Sequence, residues 1–194
     1  MKNSIALIVI ALAMALSACS TTPVGMTYSL GSEAASSPKA PLISVGTITD
    51  SRKNDPKGLG AIRNGFGGQM KTLETEQPVS EVVKTTLIDG LTAHGLLAKN
   101  KPKYILNVNM MRFDCNQYAR REAHILLDVF LVDATSQQTI FNKTVKSDKV
   151  TGSIITLDAG IFASVDDLRQ VANDVLQDAI DQLLNDPAFL AKVH

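Results

Sequence analysis

The chain opens with an unbroken apolar run, Ser4 to Ala18, and then changes character at once. Residues 20–41, STTPVGMTYSLGSEAASSPKAP, are rich in Ser, Thr, Ala, Pro and Gly. Such a composition cannot bury enough apolar surface to offset its ordering entropy, so it reads as a tether. Val24 to Leu30 is the one stretch within it with the character of a short edge strand. Regular patterning begins at Pro41, where Leu42, Ile43, Val45 and Ile48 predict a mostly buried strand ending at Asp50-Ser51. A long polar and glycine-rich connection runs from Ser51 to Pro78. Beyond it, Val79, Val82, Val83, Leu87 and Leu91 recur at helical spacing. A helix is predicted over Ser80 to His94, with Ser80 as N-cap and Gly95 as the C′ glycine.

Three strand-like segments come next. Tyr104, Leu106, Val108 and Met110 alternate with Asn107 and Asn109. Glu122 to Ala134 is apolar on both faces, and Gln138 to Val150 alternates more weakly through Phe141, Lys143 and Val145. Asp133 to Gln138 is rich in turn formers, which predicts an antiparallel hairpin between the last two strands. The clearest helix follows. Val165, Leu168, Val171, Ala172, Val175, Leu176, Ala179, Ile180, Leu183 and Leu184 form one continuous stripe at the 3.6 period. Ser164 caps it, Asp166 and Asp167 suit its positive end, and Pro187 stops it. The order strand-helix-strand-strand-strand-helix predicts an α+β fold: a mainly antiparallel sheet with two principal helices on one face.

Charge adds little to this picture. Nineteen basic and nineteen acidic side chains balance, which gives no general argument for nucleic-acid binding. The last helix carries Asp166, Asp167, Asp174, Asp178, Asp181 and Asp186 against Arg169, and the strand before it carries Lys143, Lys146 and Lys149. These are either two solvated faces or a complementary surface for self-association or another protein.

Cysteine usage changes the picture more. One of the two cysteines, Cys19, directly follows the apolar run, with Lys2 before the run and Ser17-Ala18 at its end. That is the charged, apolar and small-residue plan of a secretory signal, and the run is short for a membrane span of about 20 residues. Leu16-Ser17-Ala18-Cys19 resembles the lipobox of bacterial lipoproteins. The resemblance implies that residues 1–18 are a signal peptide and that Cys19 becomes a lipidated mature N-terminus, acylated on its amine. It also implies a membrane attachment through lipid on Cys19. Ser20 stands where the inner-membrane retention signal of enterobacterial lipoproteins has Asp, so the sorting rule implies the periplasmic face of the outer membrane. On this reading 19–40 are the lipidated N-terminus and tether, and 41–194 are a single periplasmic domain. Cys115 then has no partner within the mature chain, and is either buried or part of an intermolecular bridge.

The order VGTITDSR, glycine-rich segment, LET, helix ending in LTAHGLLA, strand hairpin and acidic final helix is similar to the YajG-type lipoproteins over most of residues 41–186. That likeness implies an envelope lipoprotein and supplies no catalytic residues.

Candidate chemistry is sparse. Gly60 to Gly65 resembles the start of a phosphate-binding loop, but Phe66 and Gly67 occupy the positions of its lysine and hydroxyl, so no nucleotide cofactor is expected. Arg63 also fills the third glycine place of a G-x-G-x-x-G pattern. The glycine-rich segment is either a packed element, with Leu59, Ile62, Phe66 and Met70 as apolar anchors, or a partner-binding loop in which Arg63 contacts an anion and Phe66 a partner. His94, His124 and His194 show no metal spacing, Asp50 and Asp55 lack a calcium-loop series, and Asp114-Cys115 lacks an oriented base. Arg120-Arg121 reads as a solvated hairpin end. The sequence therefore predicts a non-enzymatic, lipid-anchored interaction module of the outer membrane, meeting other envelope proteins or itself. An accessory or ligand-binding lipoprotein of envelope transport or assembly is the alternative, and a cell-wall enzyme the third.

Overall fold

The computed structural model describes residues 20–29, 42–152 and 164–193. Seven strands form one sheet: β1 (Ser20–Val24), β2 (Ile43–Asp50), β3 (Gly58–Arg63), β4 (Gln69–Thr75), β5 (Tyr104–Gln117), β6 (Arg121–Asp133) and β7 (Thr139–Thr151). Helix α1 spans Val79–Ala93, α2 spans Val165–Leu184, and α3 is a short turn at Pro187–Leu190. The strand path is β1-β4-β3-β5-β6-β7, with β2 paired to β5 beside that path. The fold is α+β, with the expected order of principal elements and a long antiparallel β5–β6–β7 meander at its centre.

The fourteen-residue β5 organises the sheet. On one side it pairs antiparallel with β6 along its whole length. On the other, β2 runs parallel to its first half and β3 parallel to its last three residues. A bulge between Met110 and Arg112 shifts its alternation by one residue. That shift lets Tyr104, Leu106, Val108 and Met110 share the buried face with Phe113 and Cys115. Ile125, Leu127, Val129 and Leu131 of β6 continue this face, and both long helices lie on it.

Helix α2 buries the predicted stripe from Leu168 to Leu184, and the Ser164 hydroxyl accepts from the Asp167 amide. Helix α1 begins one residue earlier than expected, with Pro78 at the N-cap position and no side-chain cap. Ser80 lies inside its first turn, and the Val79 amide donates to the Pro56 carbonyl instead. Gly95 closes the helix at φ +69°, as the C′ reading required.

The glycine-rich connection is not a connection. It forms the β3–β4 hairpin, which inserts between β1 and β5. Gly60 explains why glycine is needed there: a Cβ would lie 1.6 Å from the Cys115 carbonyl oxygen. The strand within residues 24–30 is displaced to Ser20–Val24, where β1 runs parallel to β4. Residues 25–29 then lie along the helices. Arg169 Nη1 donates to the Gly25 carbonyl, the Thr27 amide to Asn173 Oδ1, and Tyr28 Oη to Asp181 Oδ1 at 2.6 Å. Residues 20–29 are thus docked on the domain where composition read a tether. Their polar backbone is satisfied by β4 and α2, and Met26 and Tyr28 pack against the core.

Candidate functional site

Just after β2, an arginine is taken out of water. The Arg52 side chain is 2% exposed. Its Nε and Nη2 donate to the two oxygens of Asp50 at 2.9 and 2.8 Å, and Nη1 donates to the Gly58 and Phe113 carbonyls. Nη2 also reaches the Pro56 carbonyl at 3.3 Å. The planar guanidinium fork therefore ties the end of β2, the start of β3 and the β5 bulge together. Burial opposes the Asp50 charge, but the hydrogen bonds and charge of Arg52 outweigh it and hold the carboxyl below its usual range. From the sequence, Asp50 stands out only as a strand end and a rejected calcium ligand, and Arg52 is not singled out. The signal was an Asp-x-Arg spacing at a strand exit, which alone does not distinguish a clamp from solvated charge.

This clamp fixes the root of the β3–β4 hairpin, and a groove of about 510 Å³ opens beside it on the sheet face away from the helices. Asp55, Arg63, Thr72, Glu74, Asp114 and Asn116 are among the residues that line it. Within the hairpin, Leu59 and Ile62 are buried as expected of anchors, whereas Phe66 is 99% exposed at the tip. Phe66 is therefore not a packing anchor. The turn is held by its own polar groups: Asn64 Oδ1 accepts from the Phe66 and Gly68 amides, and Arg63 Nη1 donates to the Gly67 carbonyl. The Tyr118 hydroxyl, from the β5–β6 turn, donates to the Gly65 carbonyl at 2.7 Å and is itself half exposed. The Phe66 and Tyr118 side chains thus both lie exposed at one end of the sheet.

The remaining candidates separate. Cys115 is fully buried and faces the helices, and burial pushes its thiol well above the ordinary range. Asp114 points to the opposite face, where Arg112 pairs with it, so the adjacent pair forms no common site. His124 Nδ1 lies 2.6 Å from Asp148 Oδ1 on that same open face. Lys146 and then His124 hold Asp148 below the usual carboxylate range. Among the described residues, no group of three or more His, Cys, Asp or Glu side chains gathers to hold a metal. No described helix is long and apolar enough to cross a membrane.

The acidic groups of α2 and of the turn after it are met by β6 and β7. Lys143 reaches Asp186, Lys149 reaches Asp174, the Ser147 hydroxyl donates to Asp178, and Arg121 pairs with Asp167 at 2.7 Å. These pairs close α2 onto the sheet edge, so most of the charge read as two solvated faces or an intermolecular surface is used within the chain. Lys146 turns to the other face and pairs with Asp148. Arg120 remains half exposed, as a hairpin-end residue, while Arg121 does not. Cys19 and His194 lie outside the described residues.

No family model matches the sequence, and no curated protein does. Solved structures share the fold. A Xanthomonas campestris protein of family DUF330 superposes with a TM-score of 0.62 at 13% identity, covering 90% of this chain and 96% of the other. An uncharacterised protein gives 0.50 at 11% identity, over 76% of this chain and 92% of its own. A minor lipoprotein from Acinetobacter baumannii overlaps at 0.37 and 13% identity, over 79% and 96%.

Proposed function

We propose that the mature chain is a lipid-anchored envelope lipoprotein, attached through Cys19 to the periplasmic face of the outer membrane, and that it is a non-enzymatic interaction module. The observation that carries this reading is the junction between anchor and fold. The lipobox cysteine is followed, without any intervening residue, by Ser20, the first residue of a sheet strand. A chain cut before Cys19 would keep the whole described domain. Two membrane signals suffice for stable attachment, and a diacylglyceryl group with an amide-linked chain exceeds that threshold. Ser20 supports outer-membrane sorting, and the order of motifs supports kinship with the YajG-type lipoproteins.

A module that binds a small ligand for an envelope transport or assembly system is the second reading. It is favoured by the polar groove beside the clamp. Labelling with radioactive palmitate tests the anchor: wild-type protein takes up label and Cys19→Ala does not. Label retained by Cys19→Ala overturns the assignment. Crosslinking in intact cells separates the roles. An interaction module yields a discrete crosslinked envelope protein or dimer, whereas a small-ligand carrier yields none and loses its ligand in Arg63→Ala.

A further inference from the structure

We infer that the sheet end carrying Phe66 and Tyr118 seats directly on the phospholipid leaflet, with Phe66 as an inserted side chain. The inference rests on the anchor reading above and adds an orientation to it. Strand direction brings four chain positions to this one end. β3 runs parallel to β5, so the β3–β4 turn lies beside the β5–β6 turn, as the Tyr118 bond to Gly65 requires. β7 ends there too, with Thr151 opposite Arg121. β1 starts there, with Ser20 opposite Lys71, and runs parallel to β4.

The register sets the heights. From Lys71 back to Gln69 the chain moves about 7 Å toward the hairpin tip, at roughly 3.4 Å per residue, and the turn projects further. Cys19 directly precedes Ser20 in the sequence. The hairpin tip that carries Phe66 therefore projects beyond the level of Ser20, the residue next to the lipid-bearing one. β1 and β3 flank β4 in the sheet, so the tip joining β3 and β4 is displaced from Ser20 by one to two strand spacings, about 5–10 Å. A lipid on the residue directly before Ser20 brings that tip within reach of the interface, because β1 begins at Ser20.

The chemistry of the tip fits an interface. Phe66 is almost wholly exposed and packs on nothing in the fold, while the turn beneath it is tied by Asn64. Tyr118 presents a ring with its hydroxyl bound to backbone, and aromatic rings concentrate at the headgroup level of membranes. Exposed Phe, held rigidly at the one end where a lipid is attached, commits the surface to a lipid occupant. A protein partner there would have to share the few ångströms next to the bilayer.

The chain contains no tryptophan, so Phe66→Trp creates a single tryptophan, excited selectively over the three tyrosines, at a site where bulk is tolerated. The full mature protein is reconstituted in vesicles of phosphatidylethanolamine and phosphatidylglycerol, some carrying brominated acyl chains. Gln138→Trp, in the turn at the far end of the sheet, is the control. The expected result is a blue-shifted Phe66→Trp emission quenched by brominated lipid, with Gln138→Trp water-like and unquenched. Partition of the same preparation into the detergent phase reports the anchor separately. Protein that partitions as a lipoprotein while Phe66→Trp stays water-like overturns the seating and leaves the anchor intact. Protein that fails to partition overturns the anchor reading itself, and the seating with it.

Discussion

Replacing Arg52 by Leu should be among the most damaging single changes in the chain outside its apolar core. The guanidinium is 2% exposed, and its donors are divided among the Asp50 carboxylate and three backbone carbonyls. Leucine fills part of the volume but leaves those acceptors without their donor. The Asp50 side chain keeps 19% exposure, so water recovers part of its solvation. Breaking a buried pair costs about 3–5 kcal/mol, and the partial exposure of Asp50 argues for the lower end, about 3 kcal/mol. Urea unfolding followed by circular dichroism reads this out. With a slope of about 2 kcal/mol per molar, the midpoint should fall by roughly 1.5 M. Arg52→Lys should recover little, because a single ammonium cannot span two carboxylate oxygens and three carbonyls. The pH dependence gives a second signature. Asp50 is depressed in the folded state, so its contribution is fully present above the unfolded carboxylate pKa, about 4, and is lost as pH falls through the folded value. The gap between wild type and variant should therefore narrow in acid. A loss under about 1 kcal/mol at neutral pH, the worth of an exposed pair, would refute the buried clamp.

Further outcomes follow from the same geometry. Gly60→Ala should cost at least about 3 kcal/mol by thermal melting, because its Cβ has no room beside the Cys115 carbonyl; an unchanged Tm would mean that β3 does not approach β5 as described. Leu176→Asp should cost more than about 4 kcal/mol, since Leu176 is wholly buried, while Asp178→Asn should stay within about 1 kcal/mol because an amide oxygen still accepts from Ser147. Equal melting of the two would reverse the assigned helix face. Phe66→Ala should change stability by less than about 0.5 kcal/mol in urea, and a larger loss would restore the ring to a packing role.

The elements that were legible are those whose side chains do the packing. The α2 stripe and the β5–β7 alternation follow from apolar burial, and burial dominates both. The β3–β4 hairpin was hidden because glycines fill places where alternation would show, at Gly58 and Gly60. Its trace was Leu59 and Ala61 on one side of Asn64-Gly65-Phe66-Gly67-Gly68 and Met70 and Leu73 on the other. β1 was displaced in the reading because Ser-Thr-Thr-Pro-Val pairs through backbone, which composition does not record. At the candidate site, Arg63 and Phe66 were visible as residues of interest, but Phe66 carried opposite meanings until its exposure was known. The ion pairs of Lys143 and Lys149 show the same limit: sequence displays complementary charge without saying whether the partner lies in the same chain or another.

The mature N-terminus is the most direct test of the lipid anchor. Mass spectrometry of the N-terminal peptide from protein extracted with outer membranes should find residues 1–18 absent and Cys19 carrying a diacylglyceryl group and an amide-linked acyl chain. A peptide that begins elsewhere, or an unmodified Cys19 in the membrane-extracted protein, would contradict it.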